Sequence, residues 1–525
     1  MAVSDDASSM NSDDLSLRFG PAYRWLVTLT VMTGTMALGL ASSMVNVAVP
    51  SVIGAYGIGL DQAQWMATGF LGTMAAVMLV SAWLIEVLGQ RITFTVTMAM
   101  FGFGSLLSAT APNFDILILG RVLQGAATGV GYPLAMFCLF SVFPPERRGT
   151  ALGINGLISV LSPTFGPVAG GIAIDAISWR FLFLLPLPFC TVALLLGLIF
   201  LPGKKLVKPL PTFDWIGLGL AFLVLFGIFS GLASGPRMGW NDNTIVMRLL
   251  GSAVLVVVFI IWELRAPYPL LDLSLFRSRQ FCLTMLSSFI FGAGFYASIY
   301  FIPVFVQTIQ NYSATRAGLL LATSGVVMLL FFPIGGRVTD SVSAHIPIAV
   351  GLLIFSIGYF LIQAADVNTA FWVMVVYLAV NRVGLSLAIP ALSAAALRAV
   401  PIEKLARGTS SSNFFLTMGG GFGVALLTAF FELRTRFHSE AIVSTQTPAN
   451  KTTLELLGGV QNLLAGTGMS DLAQAMGALN FLSQVVLAQA STLGFKDTFL
   501  AIAVVALLAV GPAWLIGRPA PPNRQ

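Results

Sequence analysis

Arg121 is the one charged residue in the run Ile116–Ser141, which is otherwise apolar, small or weakly polar. Within a bilayer a guanidinium keeps its proton, is costly to bury, and needs an anion, carbonyl oxygens or an aromatic face. Arg382 stands in the same situation within Ala370–Ala395. Residues so placed handle charge rather than break bonds. No HExxH, CxxC or phosphate-binding loop occurs, and Cys138, Cys190 and Cys282 lie singly in apolar runs. His345 and His438 stand apart in sequence. The expectation is a protein that is not an enzyme and carries no metal or cofactor.

A group that moves protons across a membrane needs a carboxylate desolvated enough to hold its proton near neutrality. Asp61, Asp115, Asp175, Asp214, Glu263 and Glu432 all sit at the ends of apolar runs, and none falls near a midplane. Arg121, Asp115 and Asp61 are therefore the candidates for charge coupling.

The elements that position these groups follow from composition. The chain has 525 residues, 57% hydrophobic and 9% charged, where soluble domains carry about 25% charged residues. So few charges cover a body only if its waist faces lipid. The net charge of +6 is scattered over short loops, which argues against a nucleic-acid face. Apolar runs of the roughly 20 residues needed to span a bilayer recur about fourteen times. The first six lie in 25–201 and an extra pair in 213–264, joined by loops 202–212 and 265–278. The remainder, 279–517, forms a second set of six with a long connection, 434–494. Residues 1–24 and 518–525 read as tails. With the N-terminus cytoplasmic, Arg91, Arg147, Arg148, Lys204, Lys205, Lys208, Arg265, Arg277, Arg279, Arg337, Lys404 and Arg407 fall inside, as the positive-inside bias expects. Both termini are then cytoplasmic, and 434–494 lies outside as one or two amphipathic helices resting on the surface.

An internal repeat organises the set. Pro133 and Pro144 are separated as Pro390 and Pro401 are, and each later proline precedes an acidic–basic loop ending in Arg-Gly-Thr. Ser81…Glu86 recurs as Gly335…Asp340 at the same interval. The expected fold is all-α and integral to the membrane. Two six-helix bundles are related by a pseudo-two-fold axis along the membrane normal, with two inserted helices.

Three segments carry a resemblance. The fifth span reads Pro163-Thr164-Phe165-Gly166-Pro167-Val168-Ala169-Gly170-Gly171, the fourth Arg121-Val122-Leu123-Gln124-Gly125, and the loop after the second span runs from Ser81 to Arg91 through Glu86 and Gly89. Together they resemble the major facilitator superfamily, in particular its fourteen-span drug:proton antiporter branch of EmrB-like multidrug exporters. The resemblance implies an antiporter motif at Pro163, Gly166, Pro167, Gly170 and Gly171. It implies a cytoplasmic gate at Ser81, Glu86, Gly89 and Arg91, echoed by Gly335 and Asp340, and a proton-coupling region around Arg121. It also implies efflux of hydrophobic or amphipathic compounds by alternating access, with the proton gradient as energy source. The setting implied is the bacterial cytoplasmic (inner) membrane, with a periplasmic adaptor docking near 434–494. The chain departs from the branch at Ala41, where an aspartate is usual. That departure keeps open a second reading, a narrower carrier of an organic anion.

Polar and aromatic residues expected to face a central cavity are Ser42, Ser43, Asn46, Gln124, Tyr132, Tyr296, Tyr300, Gln307, Asn381, Arg382 and Asn413. An apolar pocket with a few amide and hydroxyl groups suits a small amphipathic organic molecule, and abundant Met and Phe favour tolerant recognition.

Overall fold

The structure is a computed structural model and describes residues 12–143, 148–203, 212–400, 404–447, 449–467 and 469–517. Residues 1–11 and 518–525 and the charged loops at 144–147, 204–211 and 401–403 lie outside the described residues, as do the side chains of 12–14, 16, 148–160, 163, 405–407 and 409. Of the tail expected at 1–24, residues 12–24 are instead helical and bury Leu15 and Tyr23 against the first bundle.

Every regular element among the described residues is helical. The first half holds α1 (Ser12–Phe19), α2 (Tyr23–Met44), α3 (Val49–Tyr56), α4 (Leu60–Ala63), α5 (Trp65–Met78), α6 (Ser81–Ala109), α7 (Phe114–Val142), α8 (Arg148–Ala176) and α9 (Leu187–Phe200). An antiparallel pair follows, α10 (Trp215–Met238) and α11 (Asn243–Arg265). The second half holds α12 (Arg279–Thr308), α13 (Ala314–Ser341), α14 (His345–Ile362), α15 (Phe371–Arg398), α16 (Leu405–Ser444), α17 (Lys451–Ala465) and α18 (Asp471–Ile516). Helix is forced where backbone polar groups have no water to bond. Polar residues then begin the helices at the membrane edge. Asn113 accepts from the Ile116 amide at 3.0 Å, Asp214 from Gly217 at 2.8 Å and Ser313 from Arg316 at 3.2 Å.

Among the described residues, twelve segments are long and apolar enough to cross a membrane. The sequence reading of fourteen adds α5 and α8, both present as helices. The fourteen-residue α5 is too short to cross alone. It breaks at Leu79–Val80 before α6 resumes at Ser81.

The two halves pack by one plan. In the first, α2 touches α8 and α9, and α7 touches α5 and α6; in the second, α12 touches α16 and α18, and α15 touches α13 and α14. The halves meet along two reciprocal seams, α8 on α13 and α5 on α16. This is the pairing that a two-fold repeat requires. Pro133 and Pro390 lie inside equivalent helices, α7 and α15.

The inserted pair is clasped rather than loosely tethered. Trp262 Nε1 donates to both oxygens of Asp214 at 2.8 and 3.0 Å, tying α11 to the start of α10. Trp83 of the first half lies 4.7 Å from the Phe213 ring. On the other side, Lys404 bonds Asp272 at 2.9 Å in the loop that follows α11. Only 11% of the apolar window of α11 is buried, so its surface is left for lipid.

The connection 434–494 differs from a helix pair lying on the surface. The 40-residue α16 and 46-residue α18 continue without interruption past their membrane portions. At 1.5 Å per residue they measure roughly 60 and 69 Å, about twice the hydrocarbon thickness. Their outer ends and α17 form a projecting helical cluster, because α18 carries α17 against its own outer segment.

Candidate functional site

The first seam is built from small residues that expose backbone. Gly171 of α8 abuts the Ala314 carbonyl and the Thr315 backbone of α13. Gly318 of α13 abuts Pro167 and Val168 in return, and Gly325 faces the Thr164 side chain. A side chain at any of these would drive the helices apart. Gly166 and Gly170 turn to the other neighbour and meet Ser43 and Met44 of α2. The glycines of this motif therefore serve two contacts, one within the first bundle and one across to the second.

At the end of this seam where α13 begins, both oxygens of Asp175 accept main-chain hydrogen bonds from the first turn of α13, from Ala314 at 3.2 Å and Thr315 at 2.7 Å. Gln307 of α12 donates to the Val47 carbonyl at 3.0 Å. The two bundles are thus pinned together at this end.

Between the bundles, Tyr132 of α7 and Tyr296 of α12 pack against one cluster of Phe70, Leu71, Met74 and Met78. The Tyr132 hydroxyl faces Ser42 and that of Tyr296 faces Thr417. Here cavity candidates from both halves, Ser42, Tyr132 and Tyr296, come together on soft, polarisable side chains. Ser43 is turned away, its hydroxyl donating to Gly39 and Ser162 carbonyls. Asn46 is buried and reaches the Ser42 carbonyl at 3.5 Å. Asn413 is half-buried on α16. Tyr300 is fully buried and its hydroxyl finds no partner.

Arg121 is 1% exposed. Its Nε donates to the Met66 carbonyl at 3.0 Å, and Nη1 to the Ala41 carbonyl at 3.2 Å and to Gln124 Oε1 at 2.7 Å. Its charge lies over the Phe70 ring, 4.2 Å from the centroid. Gln124 passes the chain on to Ser105 at 2.8 Å. Both side chains are spent inside the first bundle, knitting α2, α5, α6 and α7, so Gln124 does not open onto a cavity. The Ala41 carbonyl, at the position where the branch carries an aspartate, is itself a ligand of the arginine.

The segment from Ser81 to Arg91 turns on Gly89, whose φ of 75° and ψ of 174° break α6 into two arms. Only glycine adopts this region at little cost. Ser81 donates to Met78 at 2.7 Å, and Arg91 Nε to the Leu201 carbonyl at 2.6 Å. Glu86 is exposed. In the second half Gly335 abuts the Ser386 carbonyl of α15, while Asp340 is exposed at the end of α13.

Two pairs among the carboxylates named from sequence meet: Glu263 lies beside Asp214, and Glu432 beside Asp61. Asp61, on α4 of the first half, presents its main-chain amide to Glu432 of α16. A cavity of about 550 Å³ opens beside Glu432, between Arg436, Glu440 and Leu487. Asp115 is exposed and lies in the first turn of α7. Sequence reading missed a further cluster. His438, isolated in the chain, bonds Asp497 at 2.7 Å, and Arg434 bonds the same oxygen at 2.6 Å. The four-residue spacing of Arg434 and His438 places them on one helix face, and only their partner 59 residues on was hidden.

Residues 31–424 match the Major Facilitator Superfamily. Among curated proteins, the chain is 27% identical to the uncharacterized MFS-type transporter YhcA of Bacillus subtilis (strain 168), covering 84% of this chain and 83% of the relative. It is 26% identical to the multidrug export protein EmrB of Escherichia coli (strain K12), covering 94% and 95%. Among solved structures, a bacterial homolog of the human lysosomal transporter Spinster superposes with a TM-score of 0.61 at 16% identity, covering 95% of this chain and 97% of that one. The repeated bundle plan, the glycine-lined seam and the family match lead to one identification: the chain belongs to the Major Facilitator Superfamily and is a multi-pass membrane transporter.

Proposed function

We propose that this transporter exports hydrophobic or amphipathic organic compounds by proton antiport, the bundles rocking to expose a shared site to each side in turn. The observation that carries the reading is the Tyr132–Tyr296 cluster. It is apolar, methionine-rich and contributed by both halves, so any molecule lodged there is gripped by surfaces that must separate for transport. Relatives named as multidrug exporters cover nearly the whole chain. Support for proton coupling comes from the approach of Asp61 to Glu432. Two carboxylates from opposite bundles repel when both are charged, so protonation alters how closely the outer ends can meet. The cytoplasmic membrane with both termini inside is the setting that the basic loops favour. The projecting ends of α16 and α18 offer an adaptor protein a place to dock.

Inside-out membrane vesicles containing the full chain test this. Acidifying the lumen is expected to drive uptake of a fluorescent amphipathic dye, with alkalinisation of the lumen as substrate enters, and a protonophore abolishes both. Glu432→Gln with Asp61→Asn leaves dye exchange but removes its dependence on the gradient. Dye flux indifferent to the gradient in the parent protein overturns the antiport reading.

A further inference from the structure

The second bundle holds a buried cation with nothing to balance it. Arg382 of α15 is 8% exposed and its Nε has no hydrogen-bond partner. Leu378 and Leu385, on the same face of α15 one turn to either side, are fully buried. Among the described residues the only ionisable group within electrostatic reach is the Tyr359 hydroxyl, so no carboxylate answers the charge. Next to it, Asn381 is 0% exposed with neither amide atom bonded, and it packs on Gly358 of α14. The Tyr359 hydroxyl lies beside Ser298 of α12 without hydrogen-bonding geometry. Three polar side chains, contributed by two packed helices, therefore each carry at least one buried polar atom without a partner.

Arg121 provides the contrast. It too is buried without a carboxylate, yet its Nε and Nη1 donate to two carbonyls and an amide oxygen, and its charge lies over a ring. Its burial is explained by the fold. That of Arg382 is not, and an unpaired buried charge is among the costliest features a protein keeps.

We infer that Arg382, Asn381 and Tyr359 form an anion-binding subsite in the second bundle that takes the carboxylate of an amphipathic substrate. The inference deepens the export reading and rests on it for the substrate's being carried. The donor set selects the charge. A planar guanidinium edge with one amide N–H and one hydroxyl matches a singly charged, planar oxyanion. A phosphate dianion would need a second cation, and none is in reach.

The test is equilibrium binding to the purified full chain in detergent, with no gradient, using 1-pyrenebutyrate and its uncharged methyl ester. The quantity read is the preference for acid over ester. Arg382→Gln is expected to lower it about ten-fold and Tyr359→Phe by about two- to three-fold, with Arg382→Lys in between. An unchanged preference, or equal loss of both ligands, overturns the subsite. If Arg382→Gln does not fold, Tyr359→Phe decides alone, since it removes only an unbonded hydroxyl. Replacing gluconate by chloride separates sources. Chloride stabilisation that vanishes in Arg382→Gln while the acid preference stays marks a site for inorganic anions only and also overturns the inference. Because binding is read without a gradient, dye pumping with an unaltered acid preference refutes the subsite alone. Selective binding without proton exchange refutes the antiport reading alone.

Discussion

Phe229 of the inserted helix α10 presses its ring into the space that a side chain at Gly421 of α16 would need, 2.6 Å from the position of such a Cβ. The same ring does this to Gly72 of α5, at 2.7 Å. Those two helices form the second seam between the bundles. One phenylalanine from the insert is thus keyed into a notch with one glycine from each half, and it is 3% exposed. The inserted pair is a third party to any movement along that seam.

Phe229→Ala is expected to lower stability by about 3–5 kcal/mol, the range for emptying a well-packed aromatic site. Gly421→Val fills the notch and pushes the ring out. Thermal unfolding in detergent reads the first, and dye flux in vesicles the second. Flux at parental rates in folded Gly421→Val would show that the notch need not be kept.

Arg121→Lys keeps the charge but not the fork that reaches Met66, Ala41 and Gln124. Its expected cost is about 3–5 kcal/mol, because donors and acceptors in a buried network lose partners together. The loss is expected in unfolding, whereas the acid-over-ester preference described above stays with Arg382. A shift in that preference with parental stability would reverse the roles given to the two arginines.

Asp272 sets a pH dependence in the loop that follows α11. Partial burial works against its charge, but hydrogen bonds from Ser274 and Lys404 and the lysine's charge hold its carboxyl down to about 2, from 3.8. A depressed carboxyl stabilises above its unfolded value and loses that contribution as pH falls from about 4 to about 2. Lys404 is 38% exposed, so screening limits the gain to roughly 1 kcal/mol or less. Asp272→Asn is therefore expected to lower the melting temperature slightly at pH 7 and to flatten its decline between pH 4 and 2. Parallel acid profiles for the two proteins would count against the clasp.

The bundles, their repeat and the insert were legible because lipid imposes long apolar runs and because Pro133 and Pro390 mark equivalent helices. The glycines of the fifth span were legible as a close-packing surface, though not which neighbour each would meet. Gly171 faces the other bundle while Gly170, one residue earlier, faces its own. Polarity alone misdirected the placement of Gln124, which reads as a cavity amide until its partners Arg121 and Ser105 are seen. The notch around Phe229 had no signal, since it joins residues from three distant helices, as does any contact without periodicity. The outer ends of α16 and α18 were obscured by their glycines and polar residues, which interrupt an apolar pattern without interrupting a helix.

The tie between Asp175 and α13 is lopsided in its chemistry. One partner is a carboxylate that mutation or acid can reach; the other combines main-chain donors at 314 and 315 with the Thr315 and Ser313 side chains. Drift in α13 therefore leaves the two main-chain donors in place, and only proline deletes one of them. Proline is tolerated in the first turn of a helix, so Thr315→Pro would strip the shorter main-chain bond, together with the Thr315 side-chain bond, while leaving the helix whole. A single exchange could thus loosen the latch without touching the carboxylate that fastens it.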